Sequence, residues 1–361
     1  MSRGSRAPVV LSLRRGNVRV LGSDRTLAWR LPGLAARAAV FRFGDQVQVQ
    51  LLEPGSVNGE PGKVGAWLTL ASGDRLQLGS HELTLAHERQ QNVALDRPPP
   101  GYTLERELGR GGFGVVYRGV RESDGRVVAV KVLEWAQQRH LRRFRREATV
   151  CLGLDHRAIV RVLQIGVNDT PPWVAMELID GRDAAAALRE DGPPTIERAI
   201  EIGATVADAL TWLAKRQLVH RDVKLENVIL SSDGSAKLTD FGLVKDLGAD
   251  LVTLTASGVG LGTLAYAAPE QLENAKTVTP AADVFSLGAS LYCLLTGEPP
   301  WRIERPADLG KVLEEPPRDI RDLRPTVPDL IAKLIHSTLL RDPNARPSAA
   351  QVHLRLAQLV P

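Results

Sequence analysis

An all-β unit followed by a larger two-lobed α+β unit is the fold class that this 361-residue sequence predicts. Three observations predict it. Apolar residues alternate with polar ones from Val9 to Leu85, as in Val47, Val49, Leu51 and again Leu83, Leu85, which is the period of half-buried strands. A stiff run, Pro98-Pro99-Pro100-Gly101, then interrupts the pattern. Beyond it the text is strand-like to about Leu133 and helical past residue 195.

The elements follow in order. Short apolar runs separated by Gly, Asp and Pro make residues 1–87 all-β, and the polar, proline-ended stretch 88–101 a linker. Residues 102–360 form the second unit. Leu104 to Arg118 reads as two strands around a glycine-rich turn. Arg126 to Leu133, with Val127, Val128, Ala129 and Val130, reads as a strand buried on both faces. Thr195 is a good N-cap, and Ile196, Ile200, Ala207, Leu210 and Ala214 fall on one helical face. A β-rich portion followed by a helical one makes two lobes.

Composition bounds the function classes. Apolar residues at 43% and charged residues at 24% are ordinary globular values. Forty-six basic against 42 acidic residues leave too small a surplus to argue for nucleic acid or a membrane surface. Cys151 and Cys293 are the two cysteines, both in apolar surroundings, so a disulfide framework is not expected and a reducing compartment fits. Arg14 and Arg15 interrupt the N-terminal apolar stretch, and nowhere do about 18 uncharged apolar residues run together. The expectation is a cytoplasmic protein without membrane insertion.

Four motifs carry chemistry. In GRGGFGVVYRG, Gly109, Gly111 and Gly114 are spaced G-x-G-x-x-G ahead of Val116, and glycines let backbone N–H groups approach phosphate. The same spacing opens dinucleotide-binding folds, but there it leads into a helix; here it leads into a second strand. Lys131 ends the run VVAVK, and Glu147 lies in a helical stretch where Phe144, Glu147 and Cys151 share a stripe. A carboxylate there is either a tolerated boundary glutamate or the partner of Lys131, whose ammonium would then hold nucleotide phosphates. His220-Arg221-Asp222-Val223-Lys224-Leu225-Glu226-Asn227 and Asp240-Phe241-Gly242 bring Asp222, Asn227 and Asp240 to two loops. Hard Mg²⁺ takes oxygen ligands, so Asn227, Asp240 and phosphate oxygens suffice, leaving Asp222 to orient a hydroxyl and accept its proton.

This ordered set makes residues 102 to about 358, roughly 70% of the chain, resemble a eukaryotic-type (Hanks-type) protein kinase domain of the kind many bacteria carry. The resemblance implies ATP and Mg²⁺ (or Mn²⁺) as cofactors and protein substrates. Lys131 would contact the α and β phosphates and pair with Glu147; Asp222 would be the catalytic base; Asn227 and Asp240 would bind the metal. Met176 would be the gatekeeper, with backbone groups of Glu177 and Ile179 facing adenine between Ala129 and Ile229. Glu270 of the APE motif would pair with Arg346, and Asp283, in a helix opened by Thr279-Pro280 and apolar nearly all round, would brace the catalytic loop. Lys224 and Thr263 mark serine/threonine specificity in that family. Arg221 resembles kinases activated by phosphate in the loop 243–262, with Thr253 and Thr255 favoured over Ser257. Arg142, Arg143, Arg145 and Arg146 are read as a solvated helix face.

GSVNGEPG followed by LASGDRLQLGSHELTL resembles the second half of a forkhead-associated (FHA) domain, a β-sandwich that binds phosphothreonine peptides. Where that family has Gly-Arg the chain has Gly22-Ser23. Where it has S-x-x-H the chain has Ala35 and Ala38, leaving Asn58 of the phosphate grip. Two readings follow, a phosphopeptide module with an unusual site or a degenerate fold kept as an interaction or regulatory surface for a protein partner, and the missing donors favour the second. The alternatives to an active kinase are a nucleotide-binding pseudokinase scaffold and a phosphopeptide-binding adaptor.

Overall fold

The computed structural model describes residues 18–22, 29–30, 38–43, 47–70, 74–79, 81–84, 98–111, 114–133, 148–240, 264–273, 278–303 and 308–359. The chain divides into two compact units, 1–91 and 92–361.

The first unit holds strands β1 (Val18–Gly22), β2 (Trp29–Arg30), β3 (Ala39–Phe43), β4 (Val47–Leu51), β5 (Gly55–Val57), β6 (Glu60–Pro61), β7 (Trp67–Leu70), β8 (Arg75–Leu78) and β9 (His81–Thr84). They form two sheets, ordered β2-β1-β3-β4-β7 and β6-β5-β8-β9. Ala38, Ala39, Phe41, Val49, Leu51 and Leu70 from the first sheet share one core with Leu76 and Leu78 from the second, which makes the unit a sandwich. The β5–β6 hairpin turns on Asn58 and Gly59, whose φ values of 54° and 87° are the left-handed pair that a two-residue turn demands.

In the second unit, β10 (Tyr102–Gly111), β11 (Gly114–Arg121), β12 (Val127–Val132), β13 (Val162–Gly166) and β14 (Trp173–Glu177) form an antiparallel sheet ordered β10-β11-β12-β14-β13. Alternation decides its faces. Val128, Val130 and Val132 join Tyr102, Val115, Tyr117 and Trp173 in a core on one side, while Ala129 and Met176 belong to the core shared with the helical lobe. The strand is thus buried on both faces over Val128–Val130. Val127, which the sequence also placed inside, is 36% exposed at its start.

The helical lobe follows: β15 (Gly181–Asp183), α1 (Ala184–Asp191), α2 (Ile196–Ala214), β16 (Val228–Ser231), β17 (Ala236–Leu238), α3 (Pro269–Glu273), α4 (Pro280–Thr296), α5 (Leu309–Glu314), α6 (Ile320–Leu323), α7 (Asp329–Thr338) and α8 (Ala349–Ala357). Thr195 caps α2 by accepting from the Arg198 amide at 3.2 Å. Fourteen of the seventeen α4 residues are buried, so this helix is the axis of the lobe. Close approach explains Gly288 there: a Cβ would collide with Thr338 Oγ1 of α7. The lobes are stitched by backbone as well as side chains. Leu238 N donates to Ala158 O at 2.8 Å and Val160 N to Leu238 O at 2.9 Å, tying the stretch before β13 to β17. Among the described residues no helix is long and apolar enough to cross a membrane.

Candidate active site

Of the sequence-predicted residues, those on the five-stranded sheet face the helical lobe. Opposite partners in an antiparallel sheet share a face. Val116 lies opposite Lys131 and Ala129 opposite Met176, so all four side chains project from the helical-lobe side of the sheet. Gly109 and Gly111 end β10, and Gly114 begins β11 against the backbone of Val132, where any Cβ would collide with its carbonyl oxygen. Ile229, half-buried on β16, lies across the cleft.

Lys131 Nζ sits 2.7 Å from Asp240 Oδ1, with both side chains partly buried. Sequence reasoning paired this lysine with Glu147, which lies outside the described residues, as do Phe241, Gly242, Thr253, Thr255, Ser257, Thr263 and the four arginines 142–146. At the lobe connection Glu177 Oε1 accepts from Arg161 N at 2.8 Å and from Lys237 Nζ at 2.7 Å. That anchor was not read from the sequence, because a carboxylate and an amine 60 positions apart leave no local pattern. Ile179 follows, half-buried.

The loop that begins at His220 hangs on one carboxylate. Asp283, 2% exposed in the first turn of α4, accepts from His220 N at 2.7 Å and Arg221 N at 2.8 Å. Burial pushes its carboxyl up to about 7, opposed by those two amides and by the Arg221 charge. His220 is fully buried. Its Nδ1 accepts from Asp222 N at 3.3 Å, which leaves Nε2–H to donate to Thr239 O at 3.1 Å and assigns the neutral tautomer. Arg221 and Asp240 both have left-handed backbone, φ 68° and 55°, a conformation that costs non-glycine residues about 1–3 kcal/mol and persists where surrounding bonds hold it. Gln271 Nε2 donates to Arg221 O at 3.1 Å, a support the sequence reading missed although Gln271 directly follows the APE motif.

Asn227 Nδ2 donates to Asp222 O at 2.7 Å and Asp222 Oδ2 at 3.0 Å, leaving the amide oxygen directed away from these bonds. Lys224 Nζ lies 3.4 Å from Asp222 Oδ2. Below the loop, the Arg346 guanidinium meets Glu270 through two bonds of 2.6 and 2.8 Å. Cys151 is 3% exposed and packs in the main core, as expected. Among the described residues no group of three or more His, Cys, Asp or Glu is placed to hold a metal alone, so an ion at Asn227 and Asp240 would draw further oxygens from phosphate and water.

In the first unit, Asn58 is engaged within the fold: its amide donates to Asp74 Oδ1 at 2.8 Å and its oxygen accepts from Arg75 N at 2.9 Å. Ala38 is fully buried, and Ser23 and Ala35 lie outside the described residues.

A five-stranded sheet over a helical lobe, with a lysine and an aspartate meeting across the cleft above an HRD loop braced by a buried carboxylate, is the architecture of the protein kinases. The family model described as protein kinase domain matches residues 102–355, and the chain belongs to that family. Relatives include the serine/threonine-protein kinases PknJ, PknK and PknL of Mycobacterium tuberculosis. Each is 38% identical, over 69%, 72% and 55% of this chain and 44%, 23% and 50% of theirs. The chain thus spans half or less of the length of these relatives. The crystal structure of Rad53 1-466 in complex with AMP-PNP superposes with a TM-score of 0.59 at 22% identity, covering 97% of this chain and 96% of that one, a likeness of fold.

Proposed function

We propose that the protein transfers the γ-phosphoryl group of Mg-ATP to serine or threonine hydroxyls of protein substrates. The observation that carries this reading is the Asp222 environment: a carboxylate held by Asn227 Nδ2 at 3.0 Å and beside Lys224 Nζ at 3.4 Å, on a loop fixed from below by Asp283. A hydroxyl placed against Asp222 hydrogen-bonds the carboxylate and passes its proton there as its oxygen bonds the γ-phosphorus and the bond from that phosphorus to the β,γ-bridging oxygen breaks, ADP leaving with the electron pair. Lys224 offers positive charge beside the phosphoryl oxygens, and Lys131 holds the nucleotide phosphates. The apolar face of Val116, Ala129 and Met176 and the backbone of Glu177 and Ile179 receive adenine against Ile229. Asn227 and Asp240 hold Mg²⁺, which when bound neutralises phosphate charge and orients the phosphates. Most of the effect is positioning and electrostatics.

Incubating the purified full chain with labelled ATP and Mg²⁺ tests this. Wild type incorporates label into itself or a generic Ser/Thr substrate, and Asp222→Asn loses at least about 100-fold of the rate, the scale of general-base assistance. Nucleotide binding without transfer by the wild type would establish the scaffold reading instead. We assign the regulatory phosphosites to Thr253 and Thr255, to be mapped in the same experiment by mass spectrometry. The first unit serves as a protein-interaction surface without a phosphothreonine grip, since Asn58 is bound to Asp74 and Arg75. Micromolar binding of a phosphothreonine peptide to it would reverse that assignment.

A further inference from the structure

Gln271, on α3, is only 1% exposed, and both ends of its side-chain amide are engaged. Its Oε1 accepts from Ala268 N at 3.0 Å, and its Nε2 donates to Arg221 O at 3.1 Å. The first bond is local and has a structural explanation. Ala268 immediately precedes the helix, and its carbonyl accepts from Gln271 N at 2.9 Å, so it stands as the N-cap; a Glu or Gln three positions on reaches back to the N-cap amide in a capping box. Either residue type makes that bond. The helix does not explain the second one, because of the two only glutamine carries a donor beside its acceptor.

What the second bond holds is the peptide unit that leads into Asp222. Its carbonyl, that of Arg221, accepts from Gln271, and its N–H, that of Asp222, donates to His220 Nδ1 at 3.3 Å. The N–H one unit earlier goes to Asp283. Arg221 has φ 68°, a strained backbone that persists only while its neighbours hold it. Releasing the carbonyl lets that peptide plane turn, which re-aims the Asp222 carboxylate away from Asn227 Nδ2 and Lys224 Nζ. The support itself has a fixed base. Ala268 ends a stretch in which Leu264, Ala265 and Ala267 are also buried, and Tyr266 Oη donates to Cys293 Sγ of α4 at 3.5 Å. Burial pushes the Tyr266 phenol above its ordinary range, so it keeps the proton it donates. Asp283 stands on the same helix. Bonds and backbone thus close a ring, from Asp283 to Arg221, through Gln271 to Ala268 and Tyr266, and by Cys293 back to α4.

We propose that Gln271 is a positioning residue for phosphotransfer, closing this ring so that the peptide unit ahead of Asp222 keeps the carboxylate aimed at the substrate hydroxyl. The role of Asp222 rests on the kinase reading; the tie between α3 and the loop rests on the two bonds of one amide.

Gln271→Glu and Gln271→Met in the full chain test this. The glutamate keeps the cap on Ala268 N but, when ionised, sets an oxygen against Arg221 O; the methionine, of similar length, loses both bonds. In both variants kcat falls about 10- to 100-fold, the scale of a misplaced reacting group, while nucleotide Kd stays within about twofold. Amides 220–223 exchange hydrogen faster than in wild type, and those of α2 do not. Relative to wild type, Gln271→Glu regains kcat between about pH 8.5 and about pH 6.5, because a protonated carboxyl donates to Arg221 O as the amide does, whereas Gln271→Met regains nothing. The charged groups around the new carboxyl are Glu270 on its own helix, Arg221 and Asp222 on the loop and Asp283 on α4. Wild-type kcat in Gln271→Glu at the higher pH would reduce the residue to a helix cap and overturn the proposal, as would unchanged exchange at 220–223 in both variants. Nucleotide affinity falling in step with kcat would mean a general loss of structure and would overturn it too. If the wild type itself transfers no phosphoryl group, the kinase reading fails, and hydrogen exchange still decides whether Gln271 holds the loop.

Discussion

Arg346 has five N–H donors, and five acceptors surround it: both Glu270 oxygens and the carbonyls of Leu340, Ala281 and Arg341, at 2.6–2.9 Å. Its side chain is fully buried, so no water replaces a lost partner. Arg346→Met strands the Glu270 carboxylate and lowers unfolding free energy by about 3–5 kcal/mol, measurable as a drop in the urea midpoint; Arg346→Lys restores the charge but not the fork, and recovers only part. Asp283 poses the same question for the active site. Asp283→Asn leaves one of the His220 and Arg221 amides without an acceptor, a loss of about 1–3 kcal/mol. Because the loop it holds carries Asp222, kcat falls further than ATP binding weakens, which steady-state kinetics beside a nucleotide titration separates.

At the scale of elements, α4 shows how close packing sets residue choice. Gly288→Ala directs a methyl group at Thr338 Oγ1, and Thr338 is itself fixed to Ile335 O at 2.6 Å. The helices must part, so the variant unfolds about 1–3 kcal/mol more easily in urea despite alanine's better helix propensity. The elements that recur by period were legible in the sequence: the strand around Val128–Val130, the face of α2 from Ile200 to Leu210, the unbroken apolar α4 behind Thr279-Pro280. The motif residues were legible too, since their spacing is local. What stayed hidden is what the fold alone assembles. Lys237 reaching Glu177, Gln271 supporting Arg221, and the partnership of Lys131 with Asp240 join positions 60, 50 and 109 residues apart. The Asn58-Gly59 turn had a sequence signal, the Asn-Gly pair itself, that the reading of this segment for phosphate ligands passed over.

Across the whole molecule, the two units keep separate sets of core residues. Leu78→Ala, fully buried in the sandwich, removes about 2–5 kcal/mol from that unit, and calorimetry of the full chain should show one transition moving while the other keeps its temperature. Within the kinase unit, three consecutive residues answer to three different neighbours. Leu238 pairs by backbone with Ala158 and Val160, Thr239 offers its carbonyl to the His220 ring, and Asp240 meets Lys131. The stretch therefore works as a ruler: one added or removed residue would put each group in the next one's station, so the number of residues between sheet and cleft is as fixed as their chemistry. The exposed turn Ser232–Ser235 just before it is held at its ends, by Ser232 to Asp180 and Ser231 N to Ser235 O, and by Arg198 at Gly234, while its side chains stay in solvent, so an insertion at Asp233–Gly234 should be tolerated better than one at Ala236.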